Sequence, residues 1–228
     1  MNSLSTLLRQ SQLTLLYSLP KNDPKLAEAA LAGGADVLKV HINVAHRASG
    51  TRFGSLEEER ENLEAILRLA ENRPVGIVPK GEGIISAQDL IPLRSMGFSF
   101  VSAYAHHYSP EVLWFDGIEI MAAPDYTYDI TELDTWKDWG VDVLEASVIE
   151  PTGYGAPLSL RDLSRYSRLA RLGIPVVVPT QRKVTVNDVP GLVKAGVKGL
   201  MLGAVVTGQE PAQVEKVITE FRKAIDTI

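Results

Sequence analysis

The sequence predicts an α/β fold, a single (β/α)8 TIM barrel that spans residues 1–228. A helix-period stretch, a glycine and a short run of Val, Ile and Leu follow one another five times along the chain. Runs without clean alternation are typical of parallel strands that are covered on both faces. Three further apolar runs give eight strand candidates, which favours a closed barrel over an open doubly wound sheet, because an open sheet usually has fewer strands.

The strands and the helices between them are marked separately in the sequence. Eight strands are predicted near residues 13–18, 37–43, 74–79, 98–104, 117–122, 142–148, 174–179 and 198–203. The glycines of the repeat stand where a helix would end in a left-handed residue, namely Gly34, Gly97, Gly140, Gly173 and Gly196. Helix starts with the spacing of a capping box are Ser55 with Glu58, Ser86 with Asp89, Thr131 with Asp134, and Ser159 with Asp162. The segment SPEVLWFD allows only about two helical turns after the fourth strand.

Composition excludes several classes of function. The chain of 228 residues has a formal net charge of -5, which argues against binding to nucleic acid or to an anionic membrane surface. It has no cysteine, which excludes disulfides, iron–sulfur clusters, thiolate zinc sites and a thiol nucleophile. No apolar run approaches the ~20 residues of a membrane span, and the start lacks the features of a signal peptide. We therefore expect a cytoplasmic protein that binds neither nucleic acid nor membrane and needs no cofactor.

Polar side chains alternate with apolar ones along the second predicted strand. Lys39, His41 and Asn43 share one face of this strand, and the apolar residues between them share the other. The apolar face should meet the helices, so the polar set is expected to point into the barrel. Burial of Lys39 requires a carboxylate or a ligand anion. Glu145 on the sixth predicted strand is a candidate partner, and the pair has either a structural or a catalytic role.

The third predicted strand ends in the sequence Pro-Lys-Gly-Glu-Gly, which contains Lys80 and Glu82. Active sites of such barrels lie at the carboxyl ends of the strands. A lysine and a glutamate at that end are suited to proton transfer or to Schiff-base chemistry. The alternative is a solvated loop without a catalytic role.

The long loop after the second strand carries Arg47 and Arg52, either of which could bind a phosphate or a carboxylate. These arginines could instead serve a subunit contact, for example in a homodimer. A divalent metal held by His41, His106 and Glu145 is a weaker alternative, because no tight ligand motif such as HExxH is present.

The last third of the chain resembles the phosphate-binding half of the ribulose-phosphate-binding barrel superfamily. The resemblance rests on the segments LEASVIEPTGYGAP, IPVVVPTQRK and LMLGAVVTGQEP. It implies that the loop after the seventh strand and the turn after the eighth hold a phosphate through backbone amides. The residues at those places are Thr180, Gln181, Arg182, Gly203 and Ala204. The seventh-strand loop differs from the superfamily pattern, which usually has a small glycine-bearing turn there.

The nearest pattern within that superfamily is that of N-acetylmannosamine-6-phosphate 2-epimerase. PVGIVPKGEG resembles its third strand, which ends in a catalytic lysine, and this implies a catalytic role for Lys80. SVIEPTGYG resembles its sixth-strand loop, which implies that Glu150 and Gly153 lie near the substrate. The chain departs from that family after the seventh strand, where it has no acid–base glutamate.

Together these features favour an enzyme that acts on a small phosphorylated metabolite by removing a proton next to a carbonyl. Epimerisation, isomerisation and aldol-type cleavage share this step. Lys80 would be the base or electrophile, Glu145 or Glu82 the partner acid–base group, and His41 and Asn43 would orient the substrate. Two alternatives stay open, a non-catalytic barrel and a metal-dependent lyase or epimerase.

Overall fold

The computed structural model describes residues 3–46 and 50–228, and these form the predicted (β/α)8 barrel. Its eight parallel strands pair in chain order, and the last closes the barrel against the first. The strands are β1 (Thr14–Ser18), β2 (Val37–His41), β3 (Val75–Val78), β4 (Phe100–Tyr104), β5 (Glu119–Ala123), β6 (Val143–Glu145), β7 (Val176–Pro179) and β8 (Gly199–Leu202). All five glycines of the sequence repeat have a positive φ, as their place after a helix predicts.

Helices cover most of the barrel, but two connections depart from the regular pattern. The α-helices are α1 (Leu4–Gln10), α2 (Pro24–Ala32), α3 (Leu56–Ala70), α4 (Ala87–Met96), α5 (Leu160–Ala170), α6 (Val189–Lys194), α7 (Ala204–Thr207) and α8 (Pro211–Asp226). The connection after β4 contains short 3-10 helices, including Pro110–Trp114, in agreement with the short helix predicted there. The connection after β5 contains the 3-10 helix Ile130–Leu133. None of the helices in the described ranges is long and apolar enough to span a bilayer.

Three of the four predicted capping boxes are present, those that begin at Ser55, Ser86 and Ser159. The fourth was predicted at the wrong residues. Asp129 caps the 3-10 helix after β5 in place of Thr131, with Glu132 as its reciprocal partner. Aspartate accepts an amide hydrogen bond as readily as threonine does, so spacing alone did not distinguish the two starts.

The amino-terminal end of the barrel is closed by apolar side chains. Leu4 and Leu8 of α1 pack against inward-facing residues of the strands, among them Phe100. Glu119 at the start of β5 fixes α1, because its carboxylate accepts hydrogen bonds from the Ser3 hydroxyl and from backbone amides of the first turn. Because these apolar side chains fill the amino-terminal end, the polar part of the barrel interior lies at the opposite end, where the strands finish.

Gly76 of β3 provides the space that the Phe100 ring occupies inside the barrel. A Cβ atom at position 76 would lie 2.0 Å from the nearest atom of that ring. We expect Gly76→Ala to lower the free energy of unfolding by about 1–3 kcal/mol through overpacking. Phe100→Leu should recover part of the loss when combined with it, as measured by urea denaturation.

Gly191→Ala is the matched control for this prediction. Gly191 lies in α6, and its added Cβ would meet Leu163 at an ordinary 3.4 Å. Alanine at this helical position should leave stability unchanged or raise it, by up to about 1 kcal/mol. Equal losses from the two alanine substitutions would contradict the steric explanation.

Candidate active site

A cavity of about 400 Å³ opens at the carboxyl ends of the strands. Every barrel strand, or the loop that follows it, contributes to its wall. Its volume lies in the lower part of the range of small-molecule sites. We call it the carboxyl-end cavity, and it contains most of the polar residues that the sequence singles out.

An ion pair forms the floor of the carboxyl-end cavity. The Lys39 ammonium donates to Glu145 Oε2 over 2.8 Å across the barrel, and the two residues are only 4% and 7% exposed. Ser102 donates to the same carboxylate oxygen over 2.6 Å, and Ser147 to the other over 3.2 Å. The pairing that the alternation along β2 suggested is therefore present, and its polar atoms face the cavity.

The negative charge of Glu145 is maintained by its surroundings. Burial by itself raises the pKa of Glu145, but the Lys39 ammonium and the hydroxyls of Ser102 and Ser147 outweigh it and hold that pKa below its ordinary value. Glu145 is thus an anion at neutral pH. An ammonium has three hydrogens, so Lys39 can donate to Glu145 and still reach an oxygen of a bound molecule.

His41 lies on the cavity wall beside the floor, but Asn43 does not. The Asn22 side chain fixes the His41 backbone by donating to its carbonyl over 2.7 Å and accepting from its amide over 3.3 Å. Strand β2 ends at His41, and Asn43 follows with a φ of 52°, which breaks the alternation of faces. Its side chain is exposed and donates to the Pro79 carbonyl over 3.2 Å. The sequence analysis did not identify Asn22 as a residue that supports the site. Its position just before the residue that caps α2 is its one distinguishing feature in the sequence.

Lys80 and Glu82 both line the rim after β3. The Lys80 ammonium donates to Asp89 over 2.8 Å and to the Ile84 carbonyl over 3.0 Å. Burial raises the pKa of Asp89, but Lys80 and Ser86 lower it by more, so the carboxyl is held below its ordinary range. Two of the three ammonium hydrogens are used in these bonds, and the third is available to a ligand. Asp89 was predicted only as a helix cap.

The opposite wall is formed by the ends of β7 and β8. Thr180, Gln181, Gly203 and Ala204 all line the carboxyl-end cavity there. The Gly203 amide donates to the Thr180 hydroxyl over 2.9 Å, so that amide is already engaged within the protein. At the start of α7 the amides of Val206 and Thr207 donate to the Gly203 carbonyl, whereas those of Ala204 and Val205 precede the first acceptor of the helix.

The Arg182 side chain is directed away from the carboxyl-end cavity, whereas its predicted role in phosphate binding requires it to reach that cavity. Its guanidinium donates to the Gly153 carbonyl over 2.8 Å and to Asp162 over 3.2 Å. Arg182, Gly153 and the exposed Glu150 are not among the residues that line the cavity. Arg182 and Gly153 instead connect the loop after β6 to the loop after β7.

The remaining predicted residues also lie apart from the site. Arg52 belongs to a short hairpin after β2 and lines a separate cavity beside α2 and α3. Arg47 lies outside the described residues. His106 is exposed and bonds to Tyr128, so it does not join His41 and Glu145. Within residues 3–46 and 50–228, no group of three His, Cys, Asp or Glu side chains could hold a metal ion.

Comparison with known proteins supports the fold. No family model matches the sequence, and no curated protein matches it. Thiamine phosphate pyrophosphorylase from Pyrococcus furiosus has 18% identity and a TM-score of 0.64, with 96% of this chain and 98% of that chain covered. Phosphoribosyl anthranilate isomerase from Thermus thermophilus has 12% identity and a TM-score of 0.69, with 94% and 99% covered. Tryptophan synthase from Mycobacterium tuberculosis has 12% identity and a TM-score of 0.71, with 99% of each chain covered. These similarities show the fold alone, a (β/α)8 barrel, and leave the family open.

The floor pair gives a stability prediction. Lys39→Met leaves the Glu145 carboxylate buried without its cation, and we expect it to lower the free energy of unfolding by about 3–5 kcal/mol. Adding Glu145→Gln removes the unpaired charge and should recover most of this loss. Urea denaturation of the single and double variants measures the effect, and equal losses in both would contradict it.

The pH dependence of stability follows from the same pair. Because the folded-state pKa of Glu145 lies below its ordinary value of 4.5, its contribution to stability is complete above that value and is lost as the pH falls through the folded-state pKa. We expect wild-type stability to fall more steeply with acidification than that of Lys39→Met/Glu145→Gln. Denaturation at a series of acidic pH values tests this, and parallel curves would contradict it.

Proposed function

We propose that this chain is an enzyme that acts on a small phosphorylated metabolite and moves a proton next to a carbonyl group. The reaction class is that of an epimerase or isomerase, or of an aldolase-type lyase. The observation that carries the proposal is the Lys39–Glu145 pair at the floor of the carboxyl-end cavity. A buried ion pair is a weak source of stability, and this pair places a proton acceptor and a hydrogen-bond donor side by side at the floor of the cavity.

The two charges have complementary roles in this chemistry. The Glu145 carboxylate takes the proton from the carbon next to the carbonyl, and Lys39 donates to the carbonyl oxygen as negative charge develops there. Ser102 and Ser147 hold the carboxylate in place through their hydroxyls. Lys80 at the rim supplies one further hydrogen to an oxygen of the substrate, while Asp89 fixes its position.

The phosphate of the substrate lies at the β7–β8 side of the cavity. Thr180, Gly203 and Ala204 form this wall, and the first amides of α7 and the Thr180 hydroxyl are its donors. Two of the similar structures bear names that contain a phosphorylated compound, thiamine phosphate and phosphoribosyl anthranilate. This supports the choice of a phosphorylated substrate but does not select one.

Hydrogen exchange tests the proposed step without knowledge of the product. The protein is incubated in D2O with a panel of ketose and aldose phosphates, and deuterium incorporation next to the carbonyl is followed by proton NMR. We expect incorporation into at least one sugar phosphate, and none into its unphosphorylated parent. Glu145→Gln should reduce the rate about a hundredfold or more, because it removes the group that accepts the proton.

Lys80→Ala separates the two candidate bases. If Glu145 is the base, Lys80→Ala weakens binding while exchange continues at saturating substrate. If exchange is lost with Lys80→Ala and retained with Glu145→Gln, the base assignment is wrong. Absence of exchange and of phosphate binding across the panel would favour a non-catalytic barrel.

A further inference from the structure

Tyr154 was singled out only as part of a loop motif, yet it lines the carboxyl-end cavity at the β6–β7 side. Its hydroxyl lies 2.7 Å from Nε2 of Gln181, which lines the same cavity. The contact is therefore at the cavity wall. The question is which of the two groups donates the hydrogen, because this decides what Tyr154 offers to a ligand.

The orientation of the Gln181 amide is fixed from its other end. The Ile149 backbone N–H lies 3.1 Å from the Gln181 side chain, and a backbone N–H can only donate. The atom that accepts this bond must be the carbonyl oxygen Oε1. The NH2 group therefore faces Tyr154, and an amide NH2 can donate but not accept.

The Tyr154 hydroxyl consequently accepts a hydrogen bond from Gln181. A phenol has one hydrogen, which cannot point along the bond that its oxygen accepts. Across the described ranges, Gln181 is the one hydrogen-bond partner found for this hydroxyl. The hydroxyl hydrogen is left to be donated to a molecule in the cavity.

Thr180 on the adjoining wall has the same arrangement. Its hydroxyl oxygen accepts from the Gly203 amide over 2.9 Å, so its own hydrogen is also available to a ligand. Thr180 is buried and also lines the cavity. Two hydroxyls on one side of the cavity thus accept from protein N–H groups and offer hydrogens outwards. Such a wall fits a ligand group that carries only acceptors, and an anionic oxygen is the strongest of these.

We propose that Tyr154 is a substrate-binding residue that donates its hydroxyl hydrogen to an anionic phosphate oxygen, and that Gln181 is the positioning residue that directs this hydrogen. The proposal rests on the proposed function, since it assigns a further donor to the same phosphate. Gln181 acts through Tyr154, since its Oε1 accepts from the Ile149 amide and one hydrogen of its NH2 group is donated to the Tyr154 hydroxyl.

Calorimetric titration with inorganic phosphate tests the assignment on the full chain. We expect Tyr154→Phe to weaken binding roughly ten- to a hundredfold, because it removes a hydrogen bond to a charged group and keeps the ring. Tyr128→Phe is the matched control. Its hydroxyl also bonds to one side chain, that of His106, and neither residue lines the cavity, so phosphate affinity should be unchanged.

Gln181→Glu tests the positioning role. The new carboxylate accepts from the Ile149 amide and also from the Tyr154 hydroxyl, which turns the phenol hydrogen away from the ligand. It also repels phosphate directly, and this second effect is measured by introducing Gln181→Glu into the Tyr154→Phe background. We expect the loss of affinity to be roughly tenfold larger with the tyrosine present. Gln181→Met replaces this variant if the carboxylate prevents folding, and its loss should again be larger with the tyrosine present.

The outcomes separate the two proposals. Unchanged affinity in Tyr154→Phe overturns the assignment of Tyr154 and leaves the proposed function intact. Equal losses from Gln181→Glu in both backgrounds overturn the positioning role, since a merely structural glutamine would lower affinity equally in each. If the wild-type chain does not bind phosphate, both the assignment and the phosphorylated substrate are wrong.

Discussion

The contact between Lys39 and Glu145 is the constraint on which the carboxyl-end cavity depends. The two residues lie on β2 and β6, and only the closed barrel brings their charged atoms to 2.8 Å. Neither charge could be buried alone at an acceptable cost, so these two side chains are buried as a pair that the closed barrel brings together. The Ser102 hydroxyl extends the same network to β4 by donating to the carboxylate oxygen that Lys39 contacts.

The ends of the barrel differ because their interior residues differ. The amino-terminal end is filled by Leu4, Leu8 and the large Phe100 ring, with Gly76 leaving the space that this ring needs. The carboxyl end has polar residues at the corresponding inward positions, and these do not fill the volume. A packed apolar layer below therefore supports a polar floor above, and a small molecule can enter from one side only.

The sequence predicted most of the fold and part of the site. The residues that it predicted correctly differ in a physical way from those that it did not. Alternation within β2 correctly directed Lys39 and His41 inwards, because side-chain direction in a strand depends only on position. The same rule failed at Asn43, which lies beyond the end of the strand with a left-handed φ of 52°. The alternation rule gave no information about Arg182, which lies beyond the end of β7. The direction of its side chain is determined by its hydrogen bonds to Asp162 and to the Gly153 carbonyl. Asn22 and Asp89 were not assigned to the site because their roles arise only from tertiary contacts.

The loop after β7 departs from the superfamily pattern, but its contacts with the loop after β6 are compatible with the proposed phosphate site. The superfamily pattern has a small glycine-bearing turn there, whereas this chain has the large side chains of Gln181 and Arg182. Both side chains bond to the loop after β6, Gln181 through Ile149 and Tyr154, and Arg182 through the Gly153 carbonyl. The larger residues thus join two loops that a glycine turn would leave separate. In the proposed site, the phenol of Tyr154 supplies a donor on the wall that a glycine turn would otherwise line with backbone amides.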